Sequence, residues 1–346
     1  MCPVPVSDES SRVPPPERAS SDGPRRRTVR RAAAAGVTGA VALAVLVTLG
    51  VASRSGDDGP GTGAAPAAAD PHTPADLSWP AEGQTSMYVE GLGARGDLGT
   101  HGAQRPVPIA SVTKVMTAYV VLRDHPVRAG GDGARITVDA RAAQESSLGA
   151  ESTVAVEAGR RLSERQVLEL MLLPSAGNVA RMLARWDAGS EEAFVRKMNA
   201  VAQDLGMVNT SYADASGIVP ETVSTSEDQL KLARQVMRDP VFRSVVAERE
   251  AEVPGTPGPL GNTNTLLGQD GVVGVKTGSS SPAGGNLMWA ATAPDRTGHD
   301  RLVLGVVLHQ RMGGSAQQGL ESVLDTSRAL IQSVRRWVAG AEPATH

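Results

Sequence analysis

The chain has 346 residues, enough for one large domain or two ordinary ones, and 40% of them are hydrophobic, as a folded core requires. Its formal net charge of −3 gives no reason to expect a nucleic-acid partner. The single cysteine, Cys2, has no partner for a disulfide, and the six histidines show no pair at metal-ligand spacing, so we expect no metal site.

The first 80 residues divide into three parts by composition. Residues 1–31 are rich in arginine and are predicted to be a disordered cytoplasmic tail. Residues 32–52 are uncharged and long enough to span a bilayer as a helix, and the basic residues before them place the N-terminus inside. Residues 53–80, rich in Gly, Ala, Pro and Asp, are predicted to be a flexible tether. A cleaved secretory signal is the alternative for 32–52; in both cases the remainder is expected outside the cytoplasm.

The folded domain is predicted over residues 81–340, with strands towards both ends and helices between them. Helical spacing of apolar residues occurs at 163–173, 178–187, 190–206, 227–238 and 317–338, and strand patterns occur at 86–93, 271–277, 286–293 and 301–309. The sequence Ser224-x-x-Glu227 predicts a capping box before the fourth of these helices.

This order of elements predicts an α/β domain of the α+β kind. An antiparallel sheet flanked by helices is expected from residues 81–134 and 240–340, with an all-helical subdomain, residues 135–239, inserted between the two parts. The junction of insert and sheet is a usual place for a ligand cleft.

The sequence ASVTK, residues 110–114, brings a hydroxyl and an amine together at the start of an apolar helix. Ser111 and Lys114 are three residues apart and therefore share a helix face. A lysine whose pKa is lowered by burial can act as the base that activates a serine nucleophile. The alternative is a serine N-cap followed by an unrelated lysine, although only four of the 34 basic residues are lysines.

A second motif, VKTGS at residues 275–279, ends an apolar strand. Lys276 and Thr277 offer a cation and a hydroxyl, and Gly278 allows a ligand to approach the backbone closely. The combination suits recognition of a carboxylate. Taken alone, the motif is equally compatible with a strand that simply ends in a glycine turn.

Together the motifs resemble those of the D-alanyl-D-alanine carboxypeptidases, the low-molecular-mass penicillin-binding proteins. The family's S-x-x-K and K-T-G motifs, with a serine at the place of its middle S-x-N motif between them, occur in the expected order within about residues 80–340. The stretches that carry the resemblance are PIASVTKVMTA, LMLLPSAGNVA, SYADASGI followed by ETVST, and GVKTGSSSPAGGNLMWAA. The resemblance implies a β-lactamase/transpeptidase-like fold, a peptidoglycan stem peptide as substrate, β-lactam antibiotics as acylating inhibitors, and no cofactor.

The resemblance also assigns roles to individual residues. Ser111 is expected to form the acyl-enzyme, Lys114 to take its proton, and Ser175 to pass a proton to the departing D-alanine. The substrate-binding set is expected to include Lys276, Thr277, Gly278, Ser279 and Asn178, with the N–H groups of Ser111 and Ser279 forming the oxyanion hole.

The middle motif departs from the family pattern, because Gly177 stands where S-x-N has asparagine. Three interpretations remain open: the amide contact to substrate is missing, Asn178 replaces it, or the loop only interrupts a helix. The last would make the protein a membrane-tethered wall-binding module without turnover. A β-lactamase is a further alternative, for which Glu248 or Glu250 would have to activate water, and cleavage of peptide cross-links is also compatible with the motifs.

Overall fold

The computed structural model describes residues 77–92, 96–146, 149 and 151–341. The predicted tail, residues 1–31, the predicted anchor, residues 32–52, and most of the tether lie outside these residues. Within the described part of the chain, no helix is both long enough and apolar enough to cross a membrane.

The described residues form short and long strands interleaved with helices. The strands are β1 (Gln84–Val89), β2 (Asp97–His101), β3 (Val107–Pro108), β4 (Arg135–Thr137), β5 (Arg161–Ser163), β6 (Val223–Ser224), β7 (Glu250–Ala251), β8 (Leu260–Gly261), β9 (Val272–Ser280), β10 (Gly284–Pro294) and β11 (Asp300–Gln310). The helices are α1 (Lys114–Asp124), α2 (Ala140–Glu145), α3 (Glu164–Leu172), α4 (Gly177–Ala188), α5 (Glu191–Asp204), α6 (Ser226–Val236), α7 (Pro240–Val246) and α8 (Ala316–Gly340). A 3₁₀ turn, Ala110–Thr113, leads directly into α1.

The main sheet has five antiparallel strands in the order β2–β1–β11–β10–β9. Strand β1, from the start of the domain, pairs with β11 near its end, so that Gln84 lies opposite Leu308. The predicted antiparallel sheet built from both ends of the domain is therefore confirmed.

Both faces of the sheet are covered, as the apolar runs of β10 and β11 require. Along β10, Leu287 and Trp289 belong to the core formed with α8, whereas Met288 belongs to the core formed with the other helices. This alternation follows the two-residue period of a strand. The ring of Trp289 lies directly on Gly305 of β11, where any side chain would overlap it.

The inserted residues pack as a layer of helices around the buried helix α1. Helix α3 begins with a capping box in which Ser163 and Gln166 bond to each other's backbone N–H groups. The insert also contains a two-stranded antiparallel sheet, β4 with β5, in the stretch that the sequence predicted to be all helical. Strands this short carry too few residues to show a periodic pattern in the sequence.

The N-cap of α6 lies one residue after the serine of the predicted capping box. Thr225, rather than Ser224, is the N-cap, and its hydroxyl accepts a hydrogen bond from the N–H of Asp228. The hydroxyl of Ser224 instead bonds to Thr210 and Gln229. Ser224 lies in β6, where its pairing with β3 sets the backbone direction before the helix begins.

Candidate active site

The turn before α1 brings the predicted nucleophile and base together. Lys114 is 1% exposed, and its Nζ donates hydrogen bonds to the Oγ of Ser111 at 2.8 Å and to the carbonyl oxygen of Ser216 at 2.7 Å. Ser111 itself is only partly buried and lies on the wall of a cavity. The geometry is that of a hydroxyl reachable from solvent with an amine held behind it.

The surroundings of Lys114 change its protonation. Burial lowers the pKa of the Lys114 amine to about 8, and the nearby carboxylates of Glu151 and Asp214 oppose part of that effect. Burial acts in this direction because a low-dielectric interior disfavours the charged form. An amine with this pKa is unprotonated in a useful fraction of molecules near neutral pH, so it can accept a proton.

A loop after α5 supplies the carbonyl group that orients Lys114. Asp214 is 4% exposed, and its carboxylate accepts hydrogen bonds from the N–H groups of Ser216, Gly217 and Ile218 at 3.1, 2.7 and 3.0 Å. It also accepts from the hydroxyls of Ser216 and Thr222. Asp214 therefore holds the loop in the conformation that points the Ser216 carbonyl at Lys114.

Strand β9 places the second predicted motif beside the turn. Lys276 is 1% exposed; burial, and then the positive charge of Lys114, lower the pKa of the Lys276 amine well below its ordinary value. Its Nζ donates to the carbonyl oxygen of Thr277 at 3.1 Å. The hydroxyl of Thr277 is hydrogen-bonded to that of Thr263 at 2.6 Å.

Gly278 lets β9 approach the turn closely. A Cβ atom at this position would lie 2.9 Å from the carbonyl oxygen of Ile109 and from the N–H nitrogen atoms of Ser111 and Val112. Real Cβ atoms essentially never approach backbone atoms this closely. The glycine is thus required for the strand to lie against the residues that carry the nucleophile.

A cavity of about 440 Å³ opens where the strand, the turn and the helical insert meet. It is lined by Ser111, Gly217, Ser279, Glu151 and Gln317, among others. The sequence analysis predicted a cleft at this junction, and the predicted oxyanion-hole residues Ser111 and Ser279 both line it. The cavity wall includes the hydroxyl-bearing Ser111, and the amine of Lys114 lies buried behind it.

Ser175 lies in the tight turn between α3 and α4. It is 5% exposed and has a φ of +68°, in the left-handed region that few residues other than glycine adopt. The break in LLPSAGNVA is therefore a strained turn, which is a feature common at functional sites. Helix α4 begins two residues later, at Gly177.

Asn178, which the sequence placed in the substrate-binding set, is completely buried in the insert. Its side-chain amide donates to the carbonyl oxygens of Ala142 and Val154 at 3.0 and 2.9 Å, and it accepts from the N–H of Val154 at 3.2 Å. These bonds tie α4 to α2 and to the chain after Glu151. They direct the amide into the protein rather than into the cavity, so we do not retain Asn178 as a substrate contact.

The place beside Gly177 is filled by a residue that the sequence analysis did not single out. A Cβ atom at Gly177 would overlap the carboxylate of Glu151, which forms an ion pair with Arg181 and lines the cavity. No motif marks Glu151, because it lies 26 residues before Gly177 and meets it only in the folded chain. By contrast, Glu248 pairs with Arg165, and neither it nor Glu250 belongs to the described cavity lining.

Comparison with known proteins matches residues 98–310 to the Peptidase_S11 family, described as D-alanyl-D-alanine carboxypeptidase. A D-alanyl-D-alanine carboxypeptidase of Streptomyces sp. (strain K15) is 30% identical over 283 residues, which are 77% of this chain and 91% of that protein. D-alanyl-D-alanine carboxypeptidase DacC of Escherichia coli (strain K12) is 30% identical over 204 residues, 57% of this chain and half of that protein.

The fold agrees with solved structures of the same group. The crystal structure of the Streptomyces K15 DD-transpeptidase superposes with a TM-score of 0.61 at 28% identity, covering 73% of this chain and 99% of that one. Penicillin-binding protein 5 from Haemophilus influenzae gives a TM-score of 0.62 at 24% identity, covering 75% of this chain and 71% of that one, which shows a shared fold. With 213 consecutive residues matched from β2 to β11, this chain belongs to the D-alanyl-D-alanine carboxypeptidase family.

Proposed function

We propose that the protein is a serine-type D-alanyl-D-alanine carboxypeptidase that removes the terminal D-alanine of peptidoglycan stem peptides. The observation that carries the proposal is the 2.8 Å hydrogen bond from the buried amine of Lys114 to the cavity-lining hydroxyl of Ser111. A nucleophile beside an activated base is the arrangement that covalent acyl transfer requires. The family match and the names of the relatives support the same reaction.

Acylation begins at Ser111. Its Oγ attacks the carbonyl carbon between the two D-alanines, and its proton passes to the amine of Lys114. The N–H groups of Ser111 and Ser279 receive the negative charge that develops on the carbonyl oxygen. One such donor contributed about 2.7–4 kcal/mol to catalysis in another serine hydrolase.

The substrate's terminal carboxylate is assigned to Lys276 and Thr277. A buried lysine with a lowered pKa regains its charge when an anion binds beside it, because the opposite charge favours the protonated form. The site therefore distinguishes a free terminal carboxylate from an internal peptide bond. This explains why the chemistry is directed to the end of a stem peptide.

The leaving D-alanine needs a proton on its nitrogen. Ser175, in the turn before α4, is assigned to relay the proton from Lys114 to this amine. The bond between carbon and nitrogen then breaks, and D-alanine leaves an ester on Ser111. Water hydrolyses the ester and regenerates the enzyme.

A labelled penicillin tests the proposal, because β-lactams acylate the same serine that the peptide does. We expect covalent labelling of the intact protein, no labelling of Ser111→Ala, and retained labelling of Ser281→Ala, which changes another cavity-lining serine. Failure to label the intact protein, or labelling that persists in Ser111→Ala, would contradict the proposal.

Release of D-alanine from a stem-peptide mimic then identifies the reaction. A D-alanyl-D-alanine endopeptidase of Escherichia coli (strain K12) is 32% identical over 186 residues, so a cross-linked peptide dimer is the natural second substrate. We expect D-alanine release from the monomeric peptide to exceed cleavage of the dimer. Hydrolysis of penicillin without D-alanine release would instead identify a β-lactamase.

The substrate and the sequence together support an extracytoplasmic location. We assign residues 32–52 as a membrane anchor that leaves the catalytic domain outside the cell membrane. Fractionation of cells that express the full chain tests this: the anchored protein is recovered with membranes and is accessible to externally added protease. Recovery of a shortened protein in the medium would identify residues 32–52 as a cleaved signal.

A further inference from the structure

The carboxylate of Glu151 occupies the space that the third side chain of an S-x-N motif would need. A Cβ atom on Gly177 would overlap Glu151, so the glycine leaves open the space that the carboxylate occupies. The backbone supports the same arrangement, since the N–H of Gly177 donates to the carbonyl oxygen of Ser152 at 2.8 Å. The position that departs from the family pattern is therefore filled by an acid.

This carboxylate is held in place by a guanidinium group. Arg181, one turn along α4 from Gly177, pairs with Glu151, and both side chains are only 11–12% exposed. The same guanidinium also pairs with Glu145 at 2.9 Å and donates to the hydroxyl of Ser216 at 3.4 Å. Ser216 is the residue whose carbonyl orients Lys114, so Glu151 is fixed to the same framework as the catalytic base.

Glu151 is also the one acidic or basic side chain among the described residues that line the cavity with Ser111. Lys114 lies behind Ser111. Because the pKa of its amine is about 8, Lys114 is protonated in most protein molecules at neutral pH. The carboxylate of Glu151, by contrast, lines the cavity itself. It accepts hydrogen bonds but cannot donate them, so water is a suitable partner.

We propose that Glu151 accepts a proton from the water molecule that hydrolyses the acyl-enzyme. The inference rests on the proposed function and adds a catalytic residue that the family's three motifs do not contain. The water oxygen forms a bond to the ester carbon while its proton moves to Glu151. The bond between that carbon and the Ser111 oxygen then breaks, and the serine oxygen receives the proton from Glu151 by way of Lys114, which acylation left as a free amine.

The test separates acylation from hydrolysis in the full-length protein. Labelled penicillin is bound to saturation, the excess is removed, and loss of label from Ser111 is followed with time. In Glu151→Gln we expect acylation within about threefold of the wild-type rate and a decay of label slower by about 100-fold, the usual scale of a general base.

Glu145→Gln is the matched control, since Glu145 pairs with the same Arg181 but does not belong to the described cavity lining. Its acyl-enzyme should decay at nearly the wild-type rate. In Glu151→Ala, added formate should restore decay in proportion to its concentration, because a small carboxylate can enter the space left by the side chain. A purely structural role of Glu151 would show no such rescue.

Three results would overturn the inference. They are wild-type decay in Glu151→Gln, equal slowing in Glu145→Gln, and loss of acylation in Glu151→Gln with unchanged decay, which would assign Glu151 to substrate binding. If the wild-type protein itself were not labelled, the proposed function would fail, and the inference with it.

Discussion

The Nζ of Lys114 lies 2.8 Å from the Oγ of Ser111 and 2.7 Å from the carbonyl oxygen of Ser216, which lies 102 residues further along the chain. The first contact is local, since one helical turn brings residues three apart together. The second depends on the whole insert being folded. The base is thus attached to its nucleophile by local structure and oriented by tertiary structure.

Acylation should follow the protonation of Lys114. Burial lowers the pKa of this lysine to about 8, so the amine is protonated below that pH and free above it. The rate of penicillin acylation should therefore rise about tenfold per pH unit below pH 8 and level off above it. A midpoint near pH 10.4, the ordinary value for lysine, would contradict the role of burial.

Lys114→Arg tests whether the residue at position 114 must lose its proton, because arginine keeps the positive charge. A guanidinium cannot lose its proton in proteins, so acylation should fall by about 10²–10⁴-fold. Lys231→Arg is the control, because Lys231 bonds to Asp228 and to the carbonyl oxygen of Gly206, outside the cavity lining. Its acylation rate should be unchanged.

Removal of the Asp214 carboxylate should reduce both stability and acylation. Asp214→Ala leaves several buried donors without their acceptor, and we expect a loss of about 3 kcal/mol in the free energy of unfolding. Acylation should fall as well, since the carbonyl of Ser216 would no longer be held on Lys114. Urea unfolding and labelling rates measure the two effects.

The control variant Asp295→Ala distinguishes a loss of stability from a loss of acylation. Asp295 accepts hydrogen bonds from Thr297 and His299 in its own turn and pairs with Arg301, at the end of β10 remote from the cavity. It should lower stability and leave the acylation rate of the folded protein unchanged. Equal acylation by folded Asp214→Ala and wild-type protein would show that the loop does not position Lys114.

Gly278→Ala should impair acylation by separating β9 from the turn that carries Ser111. The added Cβ would meet backbone atoms of Ile109 and Ser111 at 2.9 Å, and these cannot move without shifting the nucleophile. A displacement of about 1 Å can cost 100-fold in rate, so we expect a 10- to 100-fold slower acylation. Gly261→Ala, whose Cβ meets nothing within 4 Å, should acylate normally. Normal rates in both variants would contradict the close-approach argument.

Restoring the family's asparagine at position 177 should lower the stability of the protein. Gly177→Asn alone would overlap the Glu151 carboxylate and should cost about 1–3 kcal/mol of unfolding free energy by overpacking. The cost should largely disappear in the Gly177→Asn, Glu151→Ala double variant, giving a coupling energy of about 0.5–3 kcal/mol. Urea unfolding of the four proteins in the cycle measures it, and strict additivity would show that the two positions do not share space. Glu157→Ala, which removes an exposed partner of Arg160, should be additive with Gly177→Asn.

The architecture could largely be predicted from patterns along the chain. The apolar runs at 271–277, 286–293 and 301–309 correspond to β9, β10 and β11, whose bounds differ from the predicted ones by one to three residues. Strand patterns at both ends of the domain were enough to predict the antiparallel sheet. The short strands and the one-residue shift at the start of α3 were beyond what periodicity resolves.

The orientation of the middle motif could not be predicted from the sequence. Gly177 and Asn178 are neighbours in the first turn of α4, and successive helical residues point about 100° apart. A sequence pattern cannot say which of the two faces the cleft. The structure turns the amide of Asn178 into the insert, where it bonds to Ala142 and Val154, and leaves Gly177 against Glu151.

The sequence by itself determined the family through the resemblance of its motifs, the antiparallel sheet through periodicity, and the serine–lysine pair through spacing within one helical turn. Only the tertiary structure decided what surrounds that pair: the burial that lowers the pKa of Lys114, the Asp214 loop that orients it, and the Glu151 carboxylate in the space beside Gly177. Burial and contacts between distant segments arise from packing, and packing leaves no periodic trace along the chain.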